Sequence, residues 1–136
     1  MKKAMVFGTF DPLHKGHISL FRQAKQHGDF LVVVVARDAT VKKMKGRAPL
    51  HNEKKRLRAV SKAAFVDKAV LGSKRDFYKV VEKYKPGVIC LGYDQSSSIT
   101  KKLRQEMKKR AIKVRIVRMK PYKERIFKSS KLKKRT

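Results

Sequence analysis

The chain has 136 residues, with 38 Lys and Arg against 10 Asp and Glu, a formal charge of +28. A hydrophobic content of 41% exceeds what disordered chains carry, and the length suits one compact domain over 1–136. A single cysteine excludes an internal disulfide, and no apolar run approaches the ~20 residues of a membrane span. The opening apolar stretch breaks at Gly8, short of a signal-peptide core, so a cytoplasmic protein with no membrane partner is expected. Such a charge attracts anions, from nucleotides to nonspecifically bound nucleic acid.

Three apolar runs predict strands covered on both faces: "AMVFG" (4–8), "FLVVVVA" (30–36) and "VICLG" (88–92). Two weaker strands are "KAVLG" (68–72) and "KVRIVRM" (113–119), the second alternating basic and apolar residues like an edge strand with one wet face. Helices fill the gaps. One carries Ile18, Leu20, Phe21 and Ala24, with Gly28 as its C′ stop. Asn52 caps another, whose Leu57, Val60 and Ala64 share a side, and Asp76 caps a third that "KPG" ends at 85–87. A fourth spans Ile99 to Arg110, and Ser129 or Ser130 opens a short fifth. Alternating strand and helix predicts an α/β fold: a single Rossmann-like, doubly wound parallel sheet of about five strands with flanking helices. Cys90 lies inside the third apolar run and reads as a buried structural thiol.

The densest chemistry is "GTFDPLHKGH" at 8–17. It places Gly8 at the carboxyl end of the first strand and His17 in the first turn of the next helix. In an open α/β sheet that crevice binds ligands, and the helix start offers N–H groups and a positive dipole end to an anion. Gly8 and Gly16 lack a Cβ, which lets a phosphate approach the backbone. His14 and His17, three positions apart, share one face and can both donate to phosphate oxygens. The competing chemistry is a metal held by the two histidines and Asp11, though no further His or Cys cluster completes such a site.

This stretch resembles the signature of the HxGH nucleotidyltransferases, G-T-F-D-x-x-H-x-G-H, within the cytidylyltransferase-like superfamily. Further on, "GDFLVVVVARDATVKKMKGR", "FVDKAVLG" and "LGYDQ" are similar in order and spacing to the archaeal-type FAD synthetases. "SSKLKKR", in the basic C-terminal segment 120–136, resembles the family's second signature. The resemblance implies an FMN adenylyltransferase, in which a phosphate monoester attacks the α-phosphorus of a nucleoside triphosphate and pyrophosphate leaves. The runner-up is cytidylyl transfer from CTP to glycerol 3-phosphate or another small phosphoalcohol. A phosphate monoester, with a second pKa near ~6, is largely dianionic at neutral pH and needs no general base. Charge stabilisation and alignment suffice.

By that resemblance His14, His17 and Lys43 carry catalysis. ATP and FMN are the substrates, Mg²⁺ or another divalent cation assists, and the protein is a homodimer. Thr9, Phe10, Lys15, Gly16, Gly92, Asp94 and Tyr122 contact the nucleotide with the two histidines. Ser129 and Ser130 bind the leaving phosphates from the last helix. Lys42, Lys43 and Lys45 flank a "KG" turn as a basic flap. Asp11 contacts the substrate or, more simply, accepts backbone N–H bonds in its turn. Asp94 likewise either binds the nucleotide or turns the chain. The family's E-x-R departs here: "NEKKRL" puts Lys55 at the arginine position, so either Arg56 substitutes or the anion contact weakens. A basic RNA-binding module would explain the charge but not the ordered motif.

Overall fold

The structure, a computed structural model, describes residues 1–93 and 97–121, the first three of the second stretch by backbone alone. Five parallel strands form one sheet: β1 (Lys3–Gly8), β2 (Phe30–Val35), β3 (Lys68–Leu71), β4 (Val88–Leu91) and β5 (Arg115–Arg118). Their order is β3-β2-β1-β4-β5, so the chain winds outward in both directions from β1. Between them run α1 (Lys15–Lys25), α2 (Asp38–Lys45), α3 (Glu53–Ser61), α4 (Lys79–Tyr84) and α5 (Ser97–Lys109).

Successive strand side chains alternate between two cores. Ala4, Val6, Leu31, Val33, Val35, Val88 and Cys90 face α1 and α3, where they meet Phe21, Ala24 and Val60. Met5, Val32, Val34, Ile89 and Leu91 face α4 and α5, meeting Val80, Val81, Leu103 and Met107. Two covered faces are why β1, β2 and β4 read as unbroken apolar runs. β5 is an edge strand, as its basic–apolar alternation suggests, with Ile116 buried between exposed Arg115 and half-buried Val117.

Several local expectations change. Residues 38–45 form α2, whose last turn holds exposed Lys42, Lys43 and Lys45 and whose end is Gly46 at φ 75. The basic flap is therefore a helix end, not a bare turn. α1 ends at Gln26, and Gly28 is needed for space instead of handedness: a Cβ there would lie 2.8 Å from the Lys2 carbonyl oxygen. α3 stops before Ala64, which is exposed. α4 starts at Lys79, and Asp76 accepts the Tyr78 N–H at 3.0 Å in the turn before it. The fifth helix lies outside the described residues. Among the described residues no helix is long and apolar enough to cross a membrane.

Cys90 is 1% exposed, and burial pushes its thiol up to about 11, against a small opposing pull from Arg115. A thiol-specific reagent at neutral pH should therefore leave the native chain unlabelled and label it fully after denaturation. Rapid native labelling would show that the β4 core is open.

Candidate active site

The motif at 8–17 folds into a self-supporting corner. Phe10 sits at φ 56, in the left-handed region a bulky residue seldom enters. Its ring lies over Gly8, where a Cβ would come within 2.5 Å of it. The ring also meets His17 edge-on at 5.0 Å and Phe21 at 5.4 Å, and is 3% exposed. Burial of that ring holds the strained backbone and aims the chain from β1 into α1.

His14 is the N-cap of α1. Its Nδ1 accepts the Gly16 N–H at 3.1 Å, while His17 Nδ1 accepts the His14 N–H at 3.1 Å. This is a capping box in which imidazoles replace the usual hydroxyl and carboxylate. The two rings stack with centroids 3.8 Å apart and planes 28° from parallel. The reciprocal bonds also fix the tautomer. A neutral imidazole that accepts at Nδ1 carries its hydrogen on Nε2, so each ring becomes an Nε2–H donor. A Cβ at Gly16 would lie 2.9 Å from His14 Cε1, so a side chain there would push the capping ring aside.

The glycines therefore do something other than the sequence suggests. The room they leave is filled by Phe10 and His14, not kept open for a phosphate. The first-turn N–H groups are also partly occupied, since Gly16 donates to His14 Nδ1 and His17 to the His14 carbonyl at 3.0 Å. What the helix start presents to an anion is its dipole and the two stacked imidazoles that cap it.

Asp11 faces away from that role. Its side chain is 7% exposed, and its oxygens accept the Leu50 N–H, the His51 N–H at 3.0 Å and His51 Nδ1 at 2.7 Å. Two of these are backbone bonds, as the simpler reading has it, but to a distant loop and not to its own turn, and the third is to a side chain of that loop. Burial raises the Asp11 carboxyl, and the bonds from His51 and Leu50 more than offset it, so the group lies below its ordinary 3.8. Asp67 behaves alike: burial raises it, while Lys25 and the Leu31 N–H bring it below the same value. Both carboxyls bind protons more weakly folded than unfolded. Their stabilisation is complete above 3.8 and disappears as pH falls below it. Thermal unfolding should shift sharply downward in that acid range, and Asp11→Asn should remove part of the shift. A melting temperature that is flat through it would contradict these contacts.

Arg56 organises the floor. It is 1% exposed and joins three separate loops. Nη1 donates to the carbonyls of Thr9 at 3.1 Å and Ala36 at 2.6 Å, Nε to that of His51 at 2.9 Å, and Nη2 to Asp38 Oδ1 at 2.7 Å. Arg56 thus does not substitute as the family's anion-binding arginine, because its guanidinium faces the protein. Glu53 assists by accepting the Asp38 N–H at 2.8 Å and Arg37 Nη1 at 3.3 Å, which caps α2 from α3. Lys55 is exposed and lines an open groove of about 430 Å³ with Pro12, Leu13, His51 and Lys62. Glu53 was not among the expected site residues, and the sequence offered Arg56 only as a substitute anion contact, not as a hub. The available signal is position: Arg56 and Val60, four apart, lie on the buried side of α3.

The remaining positions are distributed as follows. β4 pairs with β1 in parallel, Val6 opposite Cys90, so Gly92 falls level with Gly8 at the carboxyl edge. Arg118 of β5 fixes that loop, with Nη1 donating to the Tyr93 carbonyl at 3.1 Å and Nη2 to Thr100 Oγ1 at 3.1 Å. Thr9 holds the Arg56 contact, Lys15 is exposed at the start of α1, and Lys43 is exposed on α2. Asp94, Tyr122, Ser129 and Ser130 lie outside the described residues. Among the described residues no three His, Cys, Asp or Glu side chains cluster as metal ligands.

The cytidylyltransferase-like family model matches residues 5–135. The FAD synthase of Aciduliprofundum boonei is 48% identical over 122 residues, covering 90% of this chain and 80% of that one. That of Thermoplasma volcanium is 41% identical over 135 residues, covering 99% and 94%. A solved structure described as a lipopolysaccharide core biosynthesis protein from T. volcanium superimposes with a TM-score of 0.83 at 43% identity, over 90% of this chain and 98% of that one. An Archaeoglobus fulgidus protein of unknown function shares the fold, at TM-score 0.70 and 20% identity over 99% and 98%. With its capped histidine pair at the switch point and a match over nearly its whole length, the chain belongs to the cytidylyltransferase-like family and is a nucleotidyltransferase.

Proposed function

We propose that this protein adenylylates FMN, forming FAD and pyrophosphate from FMN and ATP. The observation that carries the reading is the stacked histidine pair at the amino end of α1, each ring turned by its Nδ1 cap bond so that Nε2 is its second nitrogen. The several FAD synthases among its relatives support the choice of FMN and ATP.

In this mechanism a terminal oxygen of the FMN phosphate forms a bond to the α-phosphorus of ATP. The bond from that phosphorus to the α,β-bridging oxygen breaks, and pyrophosphate takes the electron pair. The attacking oxygen carries no proton to remove. His14 and His17 donate from Nε2 to oxygens of the α- and β-phosphates, steadying charge that grows as the bond breaks. The α1 dipole acts in the same direction, and Lys43 meets the outer phosphates. Asp94 and Tyr122 are assigned to the nucleoside, and Ser129 and Ser130 to the departing pyrophosphate.

A divalent cation such as Mg²⁺ supplies further charge neutralisation on the triphosphate. Asp11, the carboxylate of the same motif, has both oxygens engaged by Leu50 and His51, so it does not fit as a resident ligand. A cation held by the phosphates and water fits better.

The test is pyrophosphate release from a matrix of ATP or CTP against FMN, glycerol 3-phosphate and phosphopantetheine. Release with ATP and FMN, together with FAD by chromatography, is the expected result. Release only with CTP and glycerol 3-phosphate would replace the reading with the phosphoalcohol one. RNA binding with a steep salt slope and no release under any pairing would mark a basic RNA-binding module.

A further inference from the structure

The β3–β4 crossover must pass over β2 and β1 to reach the far side of the sheet. Its first stretch, residues 72–78, makes that passage at the carboxyl edge, the end that also holds His14 and His17. Backbone bonds start it there: Gly72 donates its N–H to the Val35 carbonyl at 3.0 Å and accepts Arg37 Nε at 2.6 Å. Ser73 and Asp76 then tie the stretch down. Ser73 Oγ accepts the Asp76 N–H at 3.3 Å, and Asp76 accepts the Tyr78 N–H. Both Asp76 oxygens also take Arg110 N–H groups, at 2.9 and 3.1 Å. Arg110 is anchored in turn by Glu106 at 2.8 Å and lies 5.1 Å from the Tyr78 ring centroid.

On this pinned stretch Phe77 is 48% exposed. Its ring stacks on Phe7, with centroids 4.8 Å apart and planes at 29°, and meets Tyr78 edge-on at 5.1 Å. Phe7 immediately precedes Gly8. β1 therefore ends with Phe10 and His17 on its α1 side and with the Phe7–Phe77 stack on its opposite side. Exposed Met44, Leu50 and Phe65 show no comparable ring stack beneath them among the described residues. One face of Phe77 is supported from below, which leaves the other as a preorganised surface for a flat apolar group.

We propose that Phe77 is the platform on which the isoalloxazine ring of the acceptor stacks, braced by Phe7. The proposal rests on the FMN reading and deepens it. An acceptor reacting above the end of β1 must direct the rest of its body to one side, and this side carries the aromatic surface. A flavin gains from such a surface, whereas a small phosphoalcohol has no ring to place there. Phe77 is thus a specificity residue for the acceptor, not a member of the phosphate machinery.

The experiment is steady-state FAD formation by the full chain and by Phe77→Ala, Phe77→Leu and Phe77→Trp. The affinity for FMN is measured without ATP by isothermal titration calorimetry. Phe77→Ala and Phe77→Leu should raise the KM for FMN roughly tenfold, the value of one aromatic stack, with the KM for ATP unmoved. Both should weaken FMN binding by a similar factor, and Phe77→Trp should restore both properties. A wild type that makes FAD, beside a folded Phe77→Leu with unchanged KM and unchanged affinity for FMN, would overturn the platform alone. An equal rise in the KM for ATP would also overturn it, showing a merely structural role. A wild type that makes no FAD would overturn the FMN reading, and the platform with it.

Discussion

His17→Asn is expected to lower kcat for nucleotidyl transfer by roughly 10²–10³-fold while leaving the chain folded. The choice of asparagine follows from the geometry. Nδ1 of His17 accepts the His14 N–H at 3.1 Å, and in the proposed mechanism its Nε2–H donates to the phosphates. Asparagine places an acceptor oxygen near the Nδ1 position and has nothing at Nε2. The cap persists and the phosphate donor is lost. His17→Ala removes both, so it should match that catalytic loss and add about 1 kcal/mol of instability from the broken cap. A glutamine, whose amide nitrogen reaches the Nε2 position, should recover part of the rate. If Asn and Gln were equally active, the Nε2–H would have no part in the chemistry. Loss through KM alone, at unchanged kcat, would place His17 in uniform binding instead of transition-state stabilisation.

Arg56→Ala should be the most destabilising single change near the site. The guanidinium serves three carbonyls and one carboxylate from a position 1% exposed. Alanine orphans the Thr9, Ala36 and His51 carbonyls together. At about 1 kcal/mol or more for each unsatisfied group, the loss is on the order of 3 kcal/mol. That corresponds to a fall of roughly 10 °C in melting temperature for a chain of this size. Those carbonyls belong to the loops after β1 and β2 and to the entry of α3, so activity should fall with stability. Arg56→Lys should recover little, because one ammonium cannot reproduce donors that diverge from a planar fork. Differential scanning calorimetry checks this directly. A change in melting temperature of a degree or less for Arg56→Ala would contradict the hub.

How far these features can be read from the letters differs from residue to residue. "FLVVVVA" and "VICLG" read as strands covered on both sides, and "KVRIVRM" as the sheet edge, because strand burial is written in a short local pattern. The histidine pair was equally plain, since spacing alone puts His14 and His17 on one turn. α2 was not. Of "DATVKKMK" only Val41 is buried, and its start is capped by Glu53, fifteen residues downstream in another helix. Arg56 was concealed for a related reason: within "EKKRLR" it reads as a substitute anion contact, and only the convergence of three loops gives it a buried structural role. Gly8 and Gly16 were read as room for phosphate because a missing Cβ is visible in sequence. The rings of Phe10 and His14 that fill the room are placed by tertiary packing. Asp11 shows the same limit, its partners Leu50 and His51 lying about forty residues away.

The most direct measurement is a crystal structure of the chain grown with FMN and an ATP analogue carrying a methylene bridge between the α- and β-phosphates, which blocks transfer. The Nε2 atoms of His14 and His17 should both lie at hydrogen-bonding distance, about 2.7–3.2 Å, from α- or β-phosphate oxygens. Their Nδ1 atoms should still hold the cap bonds seen here. A triphosphate seated elsewhere on this strongly basic surface, with both imidazoles turned to water, would contradict the account at its centre.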